Sequence, residues 1–538
     1  MSSDPGTGEK RSQGGVHRDS GLFAIILAPT RELSKQISVV LETLLRCAHW
    51  IVSTTVSGGE KKKSEKARLR KGVNILIATP GRLADHLQHT EVLDVSKVRW
   101  LVMDEGDRLM ELGFEKDIEK ILSKLDEQSK HFDDIGGLPK KRVTVLCSAT
   151  MKMNVQKLGE LSLKDAVHIQ GTAGEGDEKA SSEQKAFSAP AQLQQSFTIV
   201  PAKLRLVALV ALLKRTFARK GSVMKSMVFM SCADSVDFHY QIFSSNENDV
   251  KEVEGQSEAQ NTSAPAKALS SKDNQVQVFR LHGSLPQAVR TSTLARYRAC
   301  KDPAVLVCTD VASRGLDLPN VDFVVEYDPP FSRDDHLHRI GRTARAGNEG
   351  RAMIFLLPGS EESYIGILRD ERADGARQAT QHSCDDILRK GFTAPGLEKG
   401  KGWQDRATEW QLDVERKALE SPKLLEQARR AFQGHVRAYA THIAPERYIF
   451  DMTQLHLGHL AKAFALRDKP GSIRVPGLRP SKNDVNANKA DRKARAGVSS
   501  QKGVADDSVS ENVDLSGGKQ RMQAKIREQA KQSEFNLG

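Results

Sequence analysis

Short apolar runs rich in β-branched residues alternate with longer helical patterns along this chain, and the alternation occurs twice. Such runs predict strands buried on both faces of a parallel sheet, because a helix must cross back over the sheet between consecutive strands. The first set is Leu22 to Leu27, Ile51 to Val56, Val73 to Ala78, Val98 to Met103 and Val143 to Cys147. The second set is Gln195 to Val200, Met227 to Met230, Val276 to Leu281, Ala304 to Thr309, Phe323 to Tyr327 and Ala352 to Leu357. The sequence therefore predicts two doubly wound α/β lobes in tandem.

Composition suggests where these lobes begin and end. We expect the first lobe at residues 1–170 and the second at 192–375, joined by an exposed linker at 171–191 that is rich in Gly, Glu, Ser, Lys and Ala. Residues 244–275 are polar and nearly free of large apolar side chains, which predicts a disordered insertion in the second lobe. After the last strand-like run, apolar and aromatic positions at helical spacing predict a small helical module at 395–470.

The charge of the chain favours a polyanionic partner. Lys and Arg number 81 against 69 Asp and Glu, which gives a formal net charge of +12. Residues 471–538 contain 13 Lys and Arg against 8 Asp and Glu, a net +5, with one aromatic residue. This last segment is therefore predicted to be a disordered basic tail.

The cysteines and the hydropathy pattern restrict the compartment. The six cysteines include no Cys-x-x-Cys pair, which indicates a reducing intracellular environment. Cys147 and Cys308 lie in apolar runs, where a thiol behaves as a small hydrophobe. The first residues lack the apolar core of a leader, and no stretch approaches the roughly 18 apolar residues that would span a bilayer. We expect a monomeric protein that does not engage a membrane.

Two adjacent carboxylates follow one of the apolar runs. Asp104 and Glu105 come directly after Met103, and Asp107 lies two residues further on. The carboxyl ends of the strands form the ligand crevice of an open α/β sheet, and paired charges there need a counter-ion. In nucleoside-triphosphate hydrolases the first carboxylate holds Mg²⁺, usually through water, and the second orients or deprotonates the attacking water. A solvated turn whose acids cap a helix is the alternative.

Hydroxyls and a glycine turn follow two other runs. Ser148 and Thr150 come after the last run of the first lobe, and their hydroxyls could hydrogen-bond the turn from Asp104 to Asp107. Alone, they would indicate only a polar turn. In the second lobe, a segment from Thr309 to Asp317 directly follows a strand. It contains a glycine turn together with two acids and an arginine. Both segments are expected at the carboxyl edge of their sheet.

Clustered arginines lie near the end of the second lobe. Arg342 and Arg345 are three residues apart and follow Gly341. At this spacing both side chains can point at one anion, as arginine fingers do for a γ-phosphate. A charge-rich surface helix is the alternative.

Taken together, these residues resemble the DEAD-box helicases of superfamily two, in order and spacing, over about residues 22–360. Gly106 stands where most of that family has Ala, and Ala344 where most has Gly. The runs at 104–114 and 437–466 resemble the fungal nucleolar subgroup that assembles the large ribosomal subunit. The matching motifs are Pro29 to Leu33, Gly58-Gly59, Thr79 to Arg82, Asp104 to Asp107, Ser148 to Thr150, Gln287 to Arg290, Thr309 to Asp317 and His338 to Arg345.

The resemblance implies an ATP-dependent RNA helicase with two RecA-like lobes and with ATP and Mg²⁺ as cofactors. It implies a role on pre-ribosomal RNA and preribosomal particles in the nucleus and nucleolus. Asp104 and Glu105 would hold Mg²⁺ through water. The implied catalytic residues are Asp104, Glu105, Asp107, Ser148, Thr150, His338, Arg342 and Arg345, and the implied ATP contacts are Gly315, Asp317, Arg342 and Arg345.

The resemblance also implies an RNA track whose glycines and hydroxyls approach phosphates and 2′-hydroxyls without reading bases. It comprises Pro29, Thr30, Arg31, Gly58, Gly59, Thr79, Gly81, Arg82, Gln287, Arg290 and Thr309.

One family motif is absent from the sequence. Family members place a phosphate loop ending in Gly-Lys-Ser/Thr, and an adenine-reading segment before it, upstream of the strand that ends near Pro29. No Gly-Lys-Ser/Thr occurs in the 538 residues, and Gly6 to Lys10 follows no strand, so we expect an N-terminally truncated chain. The missing motif leaves two alternatives open: the chain is part of an ATP-driven helicase, or it is a catalytically silent RNA-binding protein. The paired acids and clustered arginines favour the helicase, because they are costly to desolvate without a ligand.

Overall fold

The described part of the chain divides into two compact units. The computed structural model describes residues 16–128, 139–148, 153–163, 166–167, 169, 192–218, 223–244, 261–271, 274–313, 318, 321–344, 349–368, 379–393 and 402–467. Those up to residue 169 belong to one compact unit, called lobe 1 below, and those from residue 192 onward belong to the second, called lobe 2. The predicted linker at 171–191 and the predicted tail at 471–538 lie outside the described residues.

Lobe 1 is a parallel sheet with helices between its strands. Its described strands lie in the order β2-β3-β1-β4-β5, and every pairing is parallel. The strands are β1 (Ala24–Leu27), β2 (Ser53–Val56), β3 (Ile75–Ala78), β4 (Trp100–Met103) and β5 (Val143–Leu146). The helices are α1 (Arg31–Leu44), α2 (Lys62–Arg70), α3 (Pro80–His89), α4 (Gly106–Glu111), α5 (Glu115–Gln128) and α6 (Met153–Ser162).

The two faces of the lobe 1 sheet are covered unequally. Ile25, Leu27, Leu101 and Met103 are fully buried on one face, whereas their neighbours on the other face are only partly buried. At the edge strand β5, Val143 and Val145 are 42% and 41% exposed. The prediction of strands buried on both faces is therefore wrong for β5, because Val143 and Val145 lie on the same, less covered face of the sheet as Trp100 and Val102. For the same reason Cys147 is exposed instead of buried.

Lobe 2 has a larger sheet, ordered β13-β6-β12-β11-β7-β10-β9-β8 among the described residues. All pairings are parallel except β8 with β9. The strands are β6 (Leu193–Ile199), β7 (Lys225–Phe229), β8 (Ser263–Pro265), β9 (Gln277–Leu281), β10 (Ala304–Cys308), β11 (Phe323–Glu326), β12 (Gly350–Leu356) and β13 (Thr380–Gln381). The helices are α7 (Arg205–Phe217), α8 (Ala233–Ser244), α9 (Gln287–Ala299), α10 (Arg333–Ile340), α11 (Tyr364–Leu368) and α12 (Cys384–Phe392).

The central strands of lobe 2 are buried along their whole length. Every residue of β7, β10 and β11 is buried, so both faces of the sheet are covered there. Together with the parallel sheet of lobe 1, this confirms the prediction of two doubly wound α/β lobes. Cys308, at the end of β10, is buried as expected of a small hydrophobe.

Part of the predicted disordered insertion at 244–275 belongs to the lobe 2 sheet. Strand β8 pairs with β9 in antiparallel register, Ala264 opposite Val278, and Ala266 and Leu269 pack into the core. The prediction of disorder is therefore wrong for residues 261–271, whose small and polar side chains suit an edge strand. Residues 245–260 lie outside the described residues.

The C-terminal helices pack on lobe 2 and share its core. They are α13 (Trp403–Glu420), α14 (Pro422–Tyr439) and α15 (Leu457–Lys462), and we call residues 402–467 the C-terminal module. Phe432, Val436 and Phe464 of the module belong to the same buried cluster as Phe238 of α8. At Gly434 a β-carbon would lie 2.8 Å from the Cys232 sulfur, so α14 approaches lobe 2 closely. Within the described residues, no helix is long and apolar enough to cross a membrane.

Candidate functional site

The acidic turn of lobe 1 is held at the carboxyl end of β4. The Asp104 N–H donates to the Leu27 carbonyl (3.0 Å), and the Gly106 N–H donates to the Cys147 carbonyl (2.9 Å). The turn is therefore tied to the ends of both β1 and β5. Glu105 adopts a left-handed conformation with φ 49°, which ends the strand and starts α4. Such a conformation is uncommon for a residue with a side chain and is often found at functional sites.

The electrostatics of this turn suit a cation. Burial raises the pKa of Asp104, the hydrogen bond from the Glu105 N–H (3.0 Å) opposes that rise, and the nearby charge of Asp107 raises the pKa further. A carboxylate that the protein itself destabilises in this way gains most from a positive charge. Asp104 therefore fits a metal that is bound partly through water, although the described residues contain no cluster of three or more ligands.

The hydroxyl motif after β5 is only partly described. Ser148 follows Cys147, whose carbonyl accepts the hydrogen bond from Gly106. Ser148 therefore lies one residue beyond the backbone contact to the acidic turn, and a bond from its hydroxyl to that turn stays a prediction. Thr150 lies outside the described residues.

Residues of the predicted RNA track come together beside α1. The Thr30 hydroxyl caps α1 by accepting the Leu33 N–H (3.3 Å), and Pro29 directly precedes it. The Arg31 guanidinium packs against Gly58 and Gly59, where a β-carbon on Gly59 would collide with it. Gly59 also has φ 96°, a backbone conformation that favours glycine, whereas the arginine side chain could move aside.

The next track residues begin α3. The Thr79 carbonyl accepts the Arg82 N–H (3.1 Å), and Gly81 lies in the first turn. The Arg82 side chain donates to the Glu60 carbonyl (3.3 Å), which directly follows Gly59. Lobe 1 thus brings its three predicted track segments, near residues 30, 58 and 80, into one neighbourhood.

Glu65 and His86, which the sequence analysis did not single out, hold this neighbourhood together. Glu65 is fully buried, accepts the Ser57 N–H (3.1 Å) and lies 3.0 Å from His86 Nε2 and 3.5 Å from Arg82 Nε. It therefore links the segment before Gly58 to α3. Arg82 and His86 are four residues apart on α3, and this spacing was the signal in the sequence that they share a face.

In lobe 2 a buried arginine organises the predicted motifs. Arg339 of α10 donates to both carboxylate oxygens of Asp310 (2.6 and 2.8 Å) and to the Asp328 carbonyl (2.8 Å). Thr309 directly precedes Asp310 at the end of β10, so the Thr309 segment and α10 are joined. Sequence reasoning assigned no role to Arg339 or Asp310.

The other predicted residues of lobe 2 lie on or beside α9 and α10. His338 is in the last turn of α10, and Arg342 follows the helix, where its N–H donates to the Arg339 carbonyl (3.1 Å). Gln287 begins α9 and accepts a hydrogen bond from the Arg290 side chain. Gly315, Asp317 and Arg345 lie outside the described residues.

Comparisons with known proteins identify the family. The chain matches the DEAD/DEAH box helicase profile at 10–158, the Helicase conserved C-terminal domain at 212–347 and the ATP-dependent rRNA helicase SPB4-like C-terminal extension at 421–472. It is 60% identical to the ATP-dependent RNA helicase DBP7 of Coccidioides immitis, over 98% of this chain and 70% of that one. It is also 60% identical to dbp7 of Aspergillus clavatus, over 97% and 71%.

A solved structure gives the same result at the level of the fold. Mss116p bound to ssRNA and AMP-PNP is similar with a TM-score of 0.58 and 25% identity, covering 88% of this chain and 80% of that chain. The resemblance seen in the sequence is thereby confirmed. The chain belongs to the DEAD/DEAH box helicase family, in the group of ATP-dependent RNA helicases that includes DBP7.

Proposed function

We propose that this protein hydrolyses ATP when RNA is bound and uses the cycle to unwind or remodel short RNA duplexes. The observation that carries the proposal is the acidic turn of lobe 1, where Asp104 has a raised pKa at the carboxyl end of β4. The rRNA-helicase type of the C-terminal module and the names of the relatives support a role in ribosomal RNA processing and large-subunit assembly. Preribosomal particles in the nucleolus are then the site of action.

For the chemistry, Asp104 and Glu105 are the residues that we expect to hold Mg²⁺ through water. When bound, the ion would supply positive charge that neutralises the negative charge developing on the phosphates. Glu105 orients the attacking water, and Asp107, Ser148 and Thr150 couple this turn to the nucleotide state. From lobe 2, the expected ATP contacts are Gly315, Asp317, Arg342 and Arg345, with His338 beside them.

For RNA binding, the track residues of lobe 1 are the cluster around Arg31, Gly59 and Arg82. A glycine pair beside two arginines allows a phosphate to approach the backbone and meet positive charge. Gln287, Arg290 and Thr309 are the corresponding residues of lobe 2. Contacts of this kind position the RNA backbone without selecting a sequence.

A phosphate-release assay with and without RNA tests the proposed function. Because the 538 residues contain no Gly-Lys-Ser/Thr loop to cradle the β- and γ-phosphates, we expect this chain to hydrolyse ATP at background. A chain extended at its N-terminus by such a loop and the adenine segment should show RNA-stimulated hydrolysis. In that form, Arg342→Ala should reduce turnover by roughly a thousandfold, and Glu105→Gln should abolish it. Stimulated hydrolysis that survives both substitutions would refute the proposed function.

A further inference from the structure

The segment from Asp328 to Arg333 connects β11 to α10 and contacts the C-terminal module in three places. His435 Nδ1 of α14 lies 3.3 Å from the Asp328 carboxylate. The His442 ring lies 5.6 Å from the Phe331 ring, measured between centroids. The Arg333 N–H donates to Glu446 Oε1 at 3.1 Å. The module therefore touches the segment at its beginning, its middle and its end.

The contact of Glu446 falls on the first turn of α10. The first N–H groups of a helix have no partner inside the helix, and a carboxylate placed there also complements the helix dipole. The Ser332 hydroxyl takes the Asp335 N–H (3.2 Å), and Glu446 takes the Arg333 N–H. Glu446 is only 6% exposed, so little water competes for this hydrogen bond.

The module can act as a rigid support because its own residues are packed. The His442 ring stacks on Phe450 with 3.8 Å between centroids, and Phe450 also contacts Tyr364 of lobe 2. The Tyr439 hydroxyl donates to the buried Glu361 (2.8 Å). Movement of Glu446 away from α10 would therefore disturb a shared core.

The other end of α10 is held inside lobe 2. Arg339 is anchored by Asp310 and by the Asp328 carbonyl, and Arg342 follows in the next turn. An eight-residue helix is about 12 Å long, so Glu446 and Arg339 fix it at both ends. If the first end were released, the helix could tilt about the Arg339 anchor and displace Arg342. Displacement of a reacting group by about 1 Å can reduce a rate about a hundredfold.

We propose that Glu446 of the C-terminal module is a positioning residue for Arg342, acting by holding the first turn of α10. This inference rests on the proposed function, in which Arg342 contacts the phosphates. It gives the module a part in the hydrolytic step in addition to any role in RNA binding.

Hydrogen exchange on the 538-residue chain tests the contact itself. In Glu446→Ala the Arg333 amide and the first turn of α10 should exchange about tenfold faster, since a buried hydrogen bond is lost. Glu446→Gln keeps an oxygen acceptor, so exchange should rise by no more than about threefold. Glu420→Ala, on the exposed end of α13, is the matched control and should leave α10 unchanged. Unchanged exchange in Glu446→Ala overturns the inference.

Kinetics in the loop-extended chain test the consequence. Glu446→Ala should lower kcat at least about tenfold with little change in KM for ATP. A misplaced arginine finger stabilises the transition state less, whereas it contributes little to binding of ATP in the ground state. Glu446→Gln should recover most of kcat, and equal loss in both variants overturns the positioning role. Emission from Trp403 and Trp410 checks that the module stays folded at the assay temperature. If Arg342→Ala leaves turnover unchanged, the proposed function fails too. If Arg342→Ala lowers turnover but the Glu446 variants do not, this inference fails alone.

Discussion

The two sheets differ in how completely their faces are covered. In lobe 2 every residue of β7, β10 and β11 is buried. In lobe 1, strands β1 and β4 reach that state on one face only, and the edge strand β5 leaves Val143 and Val145 more than two-fifths exposed. Helix α1 of lobe 1 is also incompletely covered, because Val39, Val40 and Leu44 are each more than half exposed.

The difference extends to the candidate site residues. In lobe 2, Arg339 and Arg205 are buried and joined to Asp310 and Asp328, so the motif segments are locked by ion pairs inside the core. In lobe 1 the acidic turn around Asp104 is tied to β1 and β5 by backbone hydrogen bonds. We therefore expect lobe 2 to be a stable platform and the lobe 1 site to be the more deformable one.

The largest expected effect follows from removing the centre of the lobe 2 network. Asp328 accepts hydrogen bonds from Arg205 (2.7 Å) and from the Ser231 N–H and hydroxyl (2.8 Å each). Asp328→Ala would leave the Arg205 charge buried without its carboxylate, which should destabilise lobe 2 by about 3–5 kcal/mol.

Urea unfolding followed by tryptophan emission can measure this lobe by lobe. The four tryptophans divide evenly, Trp50 and Trp100 in lobe 1 and Trp403 and Trp410 in the module on lobe 2, so Trp→Phe pairs isolate each signal. Asp386→Ala, in an exposed pair with Arg389, is the control and should give no measurable change. An equal fall of the lobe 1 midpoint in Asp328→Ala would contradict the expectation that the substitution destabilises lobe 2 alone.

An effect that is smaller for each residue is expected from pH. Burial lowers the pKa of His239 and of His442 to about 4. The unfolded chain takes up these protons near pH 6.5, whereas the folded lobe accepts them only near pH 4. Lobe 2 should therefore lose stability as pH falls from 6.5 towards 4, by up to roughly 3 kcal/mol for each histidine.

The same tryptophan-resolved unfolding, repeated between pH 7.5 and 4.5, checks this expectation. His442→Gln cannot titrate and should flatten part of the slope for lobe 2. A slope that is unaffected by the substitution would mean that other groups cause the pH dependence.

The sequence revealed the fold because burial leaves a local signal. All strands with continuous apolar runs were predicted, whereas β8 (Ser263–Pro265) and β13 (Thr380–Gln381) were missed because both are short and lie at an edge of the sheet. The site was only partly predictable for a different reason. Glu65, His86 and Glu446 act through partners distant in sequence, and such pairs leave no periodic pattern. The alternative of a catalytically silent RNA-binding protein gained no support from the relatives.

The smallest expected changes in stability come from exchanging Ala and Gly at one position in each lobe. Ala344 is in the left-handed region with φ 56°, so Ala344→Gly should stabilise lobe 2 by up to about 1 kcal/mol. A β-carbon on Gly106 would lie 2.6 Å from a terminal methyl of Leu146 on the open β5 edge, which can move aside. Gly106→Ala should therefore change lobe 1 stability very little. A loss above about 2 kcal/mol, of the size caused by overpacking a closed core, would show that lobe 1 is as tightly packed as lobe 2.

The central claim about RNA is that residues of both lobes bind its sugar-phosphate backbone and do not read its bases. Titration of RNA against the 538-residue chain at several salt concentrations tests this claim most directly. We expect unrelated single-stranded RNA sequences to bind alike, better than matched DNA, and to weaken steeply with salt. Arg82→Ala in lobe 1 and Arg290→Ala in lobe 2 should each reduce the salt slope by about one and weaken every sequence equally. Strong preference for one short sequence, or binding unaffected by both substitutions, would contradict this assignment.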